Sequence, residues 1–186
     1  DLTESNPTHA GFAYPDEEIL AAISDPRALH YDPDPRGMLS AREAVSRYYA
    51  ARGVEADPSR IILTASTSEA YTYLFKLLMN PGDEVLVPRP SYPLFEYLAA
   101  IESVAVRQYP LRYDGAWHID FAALDAAAGP RTRAIAIVNP NNPTGSYMKK
   151  EEWSRLKRWA AARNLTVLSD EVFGGFAFAP DAEGVE

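Results

Sequence analysis

From Arg60 onward the chain alternates between two hydrophobic periods, and that alternation restricts the folds open to it. Short apolar runs rich in β-branched residues read as buried strands: Ile61-Ile62-Leu63-Thr64, Glu84-Val85-Leu86-Val87, Val104-Ala105-Val106, Ala134-Ile135-Ala136-Ile137-Val138 and Leu165-Thr166-Val167-Leu168-Ser169. Between them apolar residues recur at helical spacing. Ala70, Tyr71, Leu74, Phe75 and Leu78 make one such stripe, Phe95, Leu98 and Ile101 a second, and Trp153, Leu156, Trp159 and Ala160 a third. A short Ala-rich helix is expected to start near Asp120 and to stop at Gly129-Pro130. Repeated strand–helix–strand units predict an α/β fold, a mostly parallel sheet with helices on both faces. At 186 residues the chain can bury one sizeable core, with part of a second domain.

The first 60 residues read differently. Residues 1–30 are irregular apart from a helical piece opened by Pro15-Asp16-Glu17-Glu18, whose acids suit a helix N-terminus, with Ile19, Leu20 and Ile23 on one face. Tyr31-Asp32-Pro33-Asp34-Pro35-Arg36-Gly37 is a rigid, turn-rich loop. A helix follows, with Ser40 as the expected N-cap and Ala41, Ala44, Val45, Tyr48 and Tyr49 as its stripe, up to Arg52-Gly53. After Phe176 the alternation ceases, where a doubly wound sheet calls for another helix, so an incomplete sheet is expected.

Composition removes several classes of function. A formal charge of -8 disfavours nucleic acid, which needs clustered Lys and Arg. No apolar run reaches membrane-spanning length, and Asp1-Leu2-Thr3-Glu4 is not a secretory signal, so no membrane partner is expected. With no Cys there is no disulfide, thiolate metal site or thiol nucleophile, which fits a cytoplasmic location. The three histidines, His9, His30 and His118, lack metal-ligand spacing.

Four strand-end loops carry groups that a plain connection does not need. Asn139-Pro140-Asn141-Asn142-Pro143-Thr144-Gly145 breaks its strand abruptly and holds Asn142, which can donate and accept at the sheet's carboxyl edge. An ordinary βα turn explains the same residues. Ser66, Thr67 and Ser68 place three hydroxyls at a helix start, either as an anion cup or as simple N-capping by Ser66. No P-loop lysine follows them, which disfavours a nucleoside triphosphate. Asp170 ends a buried strand, so its carboxylate needs a distant Arg or Lys or a ligand cation. Tyr92, between Pro90 and Pro93, offers a flat ring for packing or for stacking.

Taken together, Tyr31 with Gly37, Ser66-Thr67-Ser68-Glu69-Ala70, Pro81-Gly82-Asp83-Glu84-Val85, Pro90-Ser91-Tyr92-Pro93, Asn139-Pro140-Asn141-Asn142-Pro143-Thr144-Gly145 and Ser169-Asp170-Glu171-Val172-Phe173 resemble, in order and spacing, the class I/II pyridoxal-phosphate aminotransferases of fold type I. The resemblance covers nearly the whole chain. It implies that Ser66, Thr67 and Ser68 hold the phosphate of pyridoxal 5'-phosphate, that Tyr92 stacks on its ring, that Asn142 bonds its phenolic oxygen, and that Asp170 pairs with its ring nitrogen. Tyr31 matches a residue that reaches the neighbouring subunit's phosphate, which implies a homodimer. The implied reaction moves an amino group from an amino acid to a 2-oxo acid.

The departures are equally specific. Phe173 stands where many relatives carry a tyrosine, and Ser5 stands near a position where relatives often have glycine. The Schiff-base lysine is expected beyond Glu186, because Lys76, Lys149, Lys150 and Lys157 fall within or at the starts of predicted helices. The expected organisation is therefore residues 1–30 as a small-domain segment and 31–186 as the N-terminal part of a large cofactor domain, inactive alone. A β-eliminating carbon–sulfur lyase on the same scaffold, a non-catalytic pyridoxal-phosphate or ligand-binding domain, and a structural fragment without a ligand are the alternatives.

Overall fold

The structure, a computed structural model, describes residues 6–176. The chain divides into two compact units, Asp1–Leu63 and Thr64–Glu186. Ser5 lies outside the described residues.

Among its described residues, the first unit is built from turns and two helices. Three 3-10 turns, Pro7–Ala10, Pro26–Leu29 and Pro58–Arg60, share one local device. The side chains of Asn6, Asp25 and Asp57, each preceding the proline, accept from the N–H two residues on. Helix α1 is Asp16–Ile23, acidic in its first turn as the sequence predicts. Its apolar residues Ile19, Leu20 and Ile23 are exposed. Helix α2 is Leu39–Ala50 and is capped at Met38 with no side-chain bond. The predicted Ser40 cap is thus corrected: the helix begins one residue before it, so its hydroxyl sits inside the first turn. The organising side chain of this unit is Arg42, 2% exposed. Its guanidinium donates to Gly37 O at 2.9 Å, Pro58 O at 2.8 Å and Asp34 Oδ2 at 2.7 Å. A buried guanidinium is stable only with such a set of acceptors.

The predicted strand at residues 61–64 does not form. The segment is extended but belongs to no ladder, and Ile62 is 60% exposed. The Leu63 N–H instead donates to Arg36 O at 2.9 Å. Apolar and β-branched content favours a strand, but a strand also needs a neighbour.

The second unit is the predicted α/β layer structure. Its elements are α3 Thr67–Leu78, β1 Glu84–Arg89, α4 Phe95–Ile101, β2 Ala105–Tyr113, β3 Trp117–Ile119, α5 Phe121–Ala127, β4 Thr132–Val138, α6 Lys150–Ala161 and β5 Thr166–Asp170. The sheet order is β3-β2-β1-β4-β5. Strands β2, β1, β4 and β5 are mutually parallel, and β3 lies antiparallel to β2 with Leu111 opposite Ile119. Strand β3 was not expected, because three residues are too short to show a period.

Alternate residues of the central strands feed two separate cores. Val85, Val87, Ala134, Ala136 and Val138 pack with Tyr71 and Phe75 of α3 and Phe95 and Leu98 of α4. Leu86, Ile135 and Ile137 pack on the other face with Leu124 of α5 and Leu156 of α6. Burial on both faces explains why these strands read as continuous apolar runs. From β1 the chain goes to β2 on one side and later returns to β4 on the other. The crevice at the carboxyl ends of β1 and β4 is therefore a topological switch point, the usual ligand position in open sheets.

Candidate functional site

Strands β1, β4 and β5 end at Arg89, Val138 and Asp170, on one edge of the sheet. The last two are register partners, and Asn139 N donates to Asp170 O at 2.8 Å. Helix α3 brings its first turns to the same edge. The Tyr71 hydroxyl donates to Asp170 Oδ2 at 2.9 Å, while Val172 N donates to Oδ1 at 3.1 Å. Thr67, Ala70, Tyr71, Ser169, Asp170 and Val172 line a common cleft of about 270 Å³.

Asp170 is half-buried, and its surroundings differ from those of the buried acids. Glu84, 3% exposed, is faced by Arg107 at 3.2 Å and Arg131 at 3.4 Å. Asp170 has no such basic partner among the described residues. Of the two sequence-based options, the distant Arg or Lys is thus not found. An ionised carboxylate has about four acceptor sites, so two donors leave room for a third. Burial first, and the Asp170 charge second, push the Tyr71 phenol well above its ordinary value, so it remains a donor.

The start of α3 has a reciprocal cap. Ser66 Oγ accepts from Glu69 N at 3.2 Å, and Glu69 Oε2 accepts from Ala65 N at 2.6 Å. The capping role weighed for Ser66 is therefore realised. Thr67 and Ser68 remain with the first-turn N–H groups that a helix leaves without internal partners. The first-turn N–H groups form a donor cluster of the kind that suits an anion, and Thr67 beside them lines the cleft, whereas Ser68 does not.

The polar crook after β4 is held by Asn141 rather than by Asn142. Asn141, 5% exposed, donates from Nδ2 to Pro90 O at 3.2 Å and to Thr144 Oγ1 at 3.0 Å, tying the β1 and β4 loops across the switch point. Its Oδ1 is buried and makes no hydrogen bond among the described residues, as is true of Ser91 Oγ. Sequence reasoning missed Asn141 because two adjacent asparagines carry the same signal. Asn142 is half-buried at the same edge. Tyr92 is half-buried and lines another cleft with Ser91, Gln108 and Pro143 rather than the one at Asp170. It meets Phe95 edge-on at 6.1 Å, and Phe95 meets Tyr71 at 5.2 Å, so aromatic packing links Tyr92 to the Asp170 partner. Tyr31 belongs to the first unit and is 94% exposed. Phe173, 41% exposed, packs against Phe176 and brings no hydroxyl.

The fold and edge define an open-sheet α/β protein in which Thr67, in the first turn of α3, and Asp170, at the end of β5, line one cleft. Comparison then gives the family. Residues 1–185 match the family described as aminotransferase class I and II, and the chain belongs to it. It is 35% identical to the glutamate-pyruvate aminotransferase AlaA of Escherichia coli K12, over 98% of this chain and 45% of that protein. It is 31% identical to tyrosine aminotransferase of Homo sapiens, over 96% of this chain and 40% of that protein. Among solved structures, the alanine aminotransferase of Pyrococcus furiosus superposes with a TM-score of 0.85 at 29% identity, over 98% of this chain and 47% of that one. An aminotransferase from Escherichia coli does so at 0.84 and 34% identity, over 97% and 45%. The chain thus spans less than half the length of these relatives.

Proposed function

We propose that this chain supplies the N-terminal part of a pyridoxal-phosphate-dependent aminotransferase that moves an amino group from an amino acid to a 2-oxo acid. The single observation that carries the reading is that Thr67, beside the donor cluster of α3, and Asp170, without a basic partner among the described residues, line one cleft. These residues fit a flat cation with a phosphate tail. Thr67, Ser68 and the first N–H groups of α3 hold the phosphate, with Ser66 fixing the turn. Asp170 presents its remaining lone pairs to the ring nitrogen and keeps a proton there. Asn142 bonds the phenolic oxygen, and Tyr92 covers the ring. When bound, pyridoxal phosphate supplies an electron sink for the pair released at the amino acid's α-carbon.

The lysine that carries the cofactor and moves the α-proton lies, in this reading, outside the 186 residues. No lysine lines the cleft at Asp170. Lys76 pairs with Glu102, Lys157 stands 5.3 Å from the Trp153 ring, and Lys149 and Lys150 begin α6. In this reading the chain alone is inactive. Residues 1–30 belong to a small domain and 31–186 to the cofactor domain of a cytoplasmic homodimer, with Tyr31 reaching the phosphate bound by the partner. The test is product analysis of the complete protein with pyridoxal phosphate, an amino acid and a 2-oxo acid. Equimolar new amino acid and new 2-oxo acid support the reading. Ammonia release points to the lyase alternative, and no turnover at all to a binding domain.

A further inference from the structure

The apolar stripe of α3 assigns Tyr71 to the core, and its ring does pack there, 5% exposed, 5.7 Å from Phe75 and 5.2 Å from Phe95. A phenylalanine would fill that space equally well. The hydroxyl is the part that packing leaves unexplained, and it ends on Asp170 Oδ2 at 2.9 Å, across 99 positions of sequence. We propose that Tyr71 is a positioning residue, whose hydroxyl fixes the plane of the Asp170 carboxylate and presents it to the ring nitrogen of the bound cofactor. The proposal rests on the reading of Asp170 given above.

Two physical effects support it. The terminal torsion of an aspartate is broad, so an isolated carboxylate at a strand end samples a wide range of planes. Here each oxygen has its own donor, Tyr71 on Oδ2 and Val172 N on Oδ1, and two donors on opposite oxygens define the plane. A donor on a carboxylate also lowers its affinity for a proton, so the proton shared with a ring nitrogen stays on nitrogen. The phenol suits this task because burial keeps it protonated and its ring is wedged between Phe75 and Phe95. Thr67 and Tyr71 stand one turn apart on the cleft-lining face of α3. One rigid helix thereby sets both the phosphate end and the nitrogen end of the site.

The experiment compares Tyr71→Phe, Asp170→Asn and the double variant in the complete protein loaded with pyridoxal phosphate. Tyr71→Phe is expected to keep the cofactor, to lower kcat about ten-fold with KM little changed, and to shift the pH midpoint of the cofactor's visible band by about half a unit. In the Asp170→Asn background the same substitution is expected to add nothing, because its effect runs through the carboxylate. If Tyr71→Phe leaves band and kcat as in the parent while Asp170→Asn changes both, the proposal is overturned and the assignment of Asp170 stands. If Asp170→Asn is silent as well, the reading of the site fails and takes the proposal with it. Should Tyr71→Phe not fold, 3-fluorotyrosine at this position keeps the shape and strengthens the donor. It is then expected to move the band midpoint away from that of the parent protein, and an unmoved midpoint overturns the proposal.

Discussion

Asp170 has a donor on each carboxylate oxygen and no positive charge beside it among the described residues, whereas Asp83 and Glu84, at the other end of β1, are met by arginines. A structural acid and an acid awaiting a ligand are separated by that contrast. Asp170→Ala in the complete protein is accordingly expected to cut turnover by about two orders of magnitude or more while most of the pyridoxal phosphate is retained, as read by steady-state kinetics and cofactor absorbance. Activity equal to the parent would remove Asp170 from the site. Ser68→Ala is expected to weaken pyridoxal-phosphate affinity by about 1–3 kcal/mol, measured by equilibrium titration, since it deletes a donor to a charged oxygen. Unchanged affinity returns that hydroxyl to a purely local role. The burial logic singles out Asp170 from sequence, because a carboxylate at the end of a buried strand demands a partner. In the structure β5 is the sheet's edge strand, with Leu168 its one buried residue, and Asp170 is half-buried. Tyr71 was not readable in this role: helical spacing assigns a residue to a face, and its hydroxyl can be followed only once α3 is seen against β5.

At the scale of elements, the sequence identifies β1 and β4 because both faces of each are covered, β5 from its β-branched content although it is a half-exposed edge strand, and α3 and α6 because one face of each is buried. It errs where a signal depends on neighbours or on length. Residues 61–64 have strand composition without a strand beside them, β3 has strand geometry without enough residues to show it, and Ser40 lies one position inside its helix. The turn before α2 illustrates a constraint that is readable. Gly37 has φ +88°, and a Cβ built there would come within 2.7 Å of Leu63 Cβ. Gly37→Ala is expected to destabilise the first unit by about 1–3 kcal/mol, measured by chemical denaturation, through both strain and overlap. The loss is expected to be local, with the far-UV signal of the sheet unfolding at its former midpoint.

For the whole molecule, charge state sets a stability plateau. Hydrogen bonds from Arg27, from the Arg36, Ser59 and Ala65 backbone N–H groups, and from the Ala123 N–H hold Asp25, Asp34, Asp57, Glu69 and Asp120 below the usual carboxylate range, Asp25 at about 2. A depressed folded value contributes stability that is present above the unfolded value and lost as pH falls through the folded one. Burial raises the Tyr71 and Tyr109 phenols, whose contribution is complete below about pH 10 and lost as pH rises further. The midpoint of thermal unfolding is therefore expected to be flat between about pH 5 and 10 and to fall on either side, most visibly below about pH 4. A midpoint that rises on acidification contradicts this. Exposed apolar side chains recur in both units, with Leu20 and Leu29 in the first and Leu77, Ile101 and Val172 in the second. Light scattering of the isolated chain is expected to show self-association at micromolar concentration, and a clean monomer would refute it.

The bond from Tyr71 to Asp170 joins the first helix of the second unit to its last strand. Strand β5 is held by β4 and β4 by β1, so those pairings must be in register before the two groups can meet. Ligand affinity at this rim is consequently a gauge of cooperative assembly: a cavity cut into the core at Ile135, far from any contact with a ligand, should register as weakened binding in proportion to the fraction of molecules it leaves unzipped.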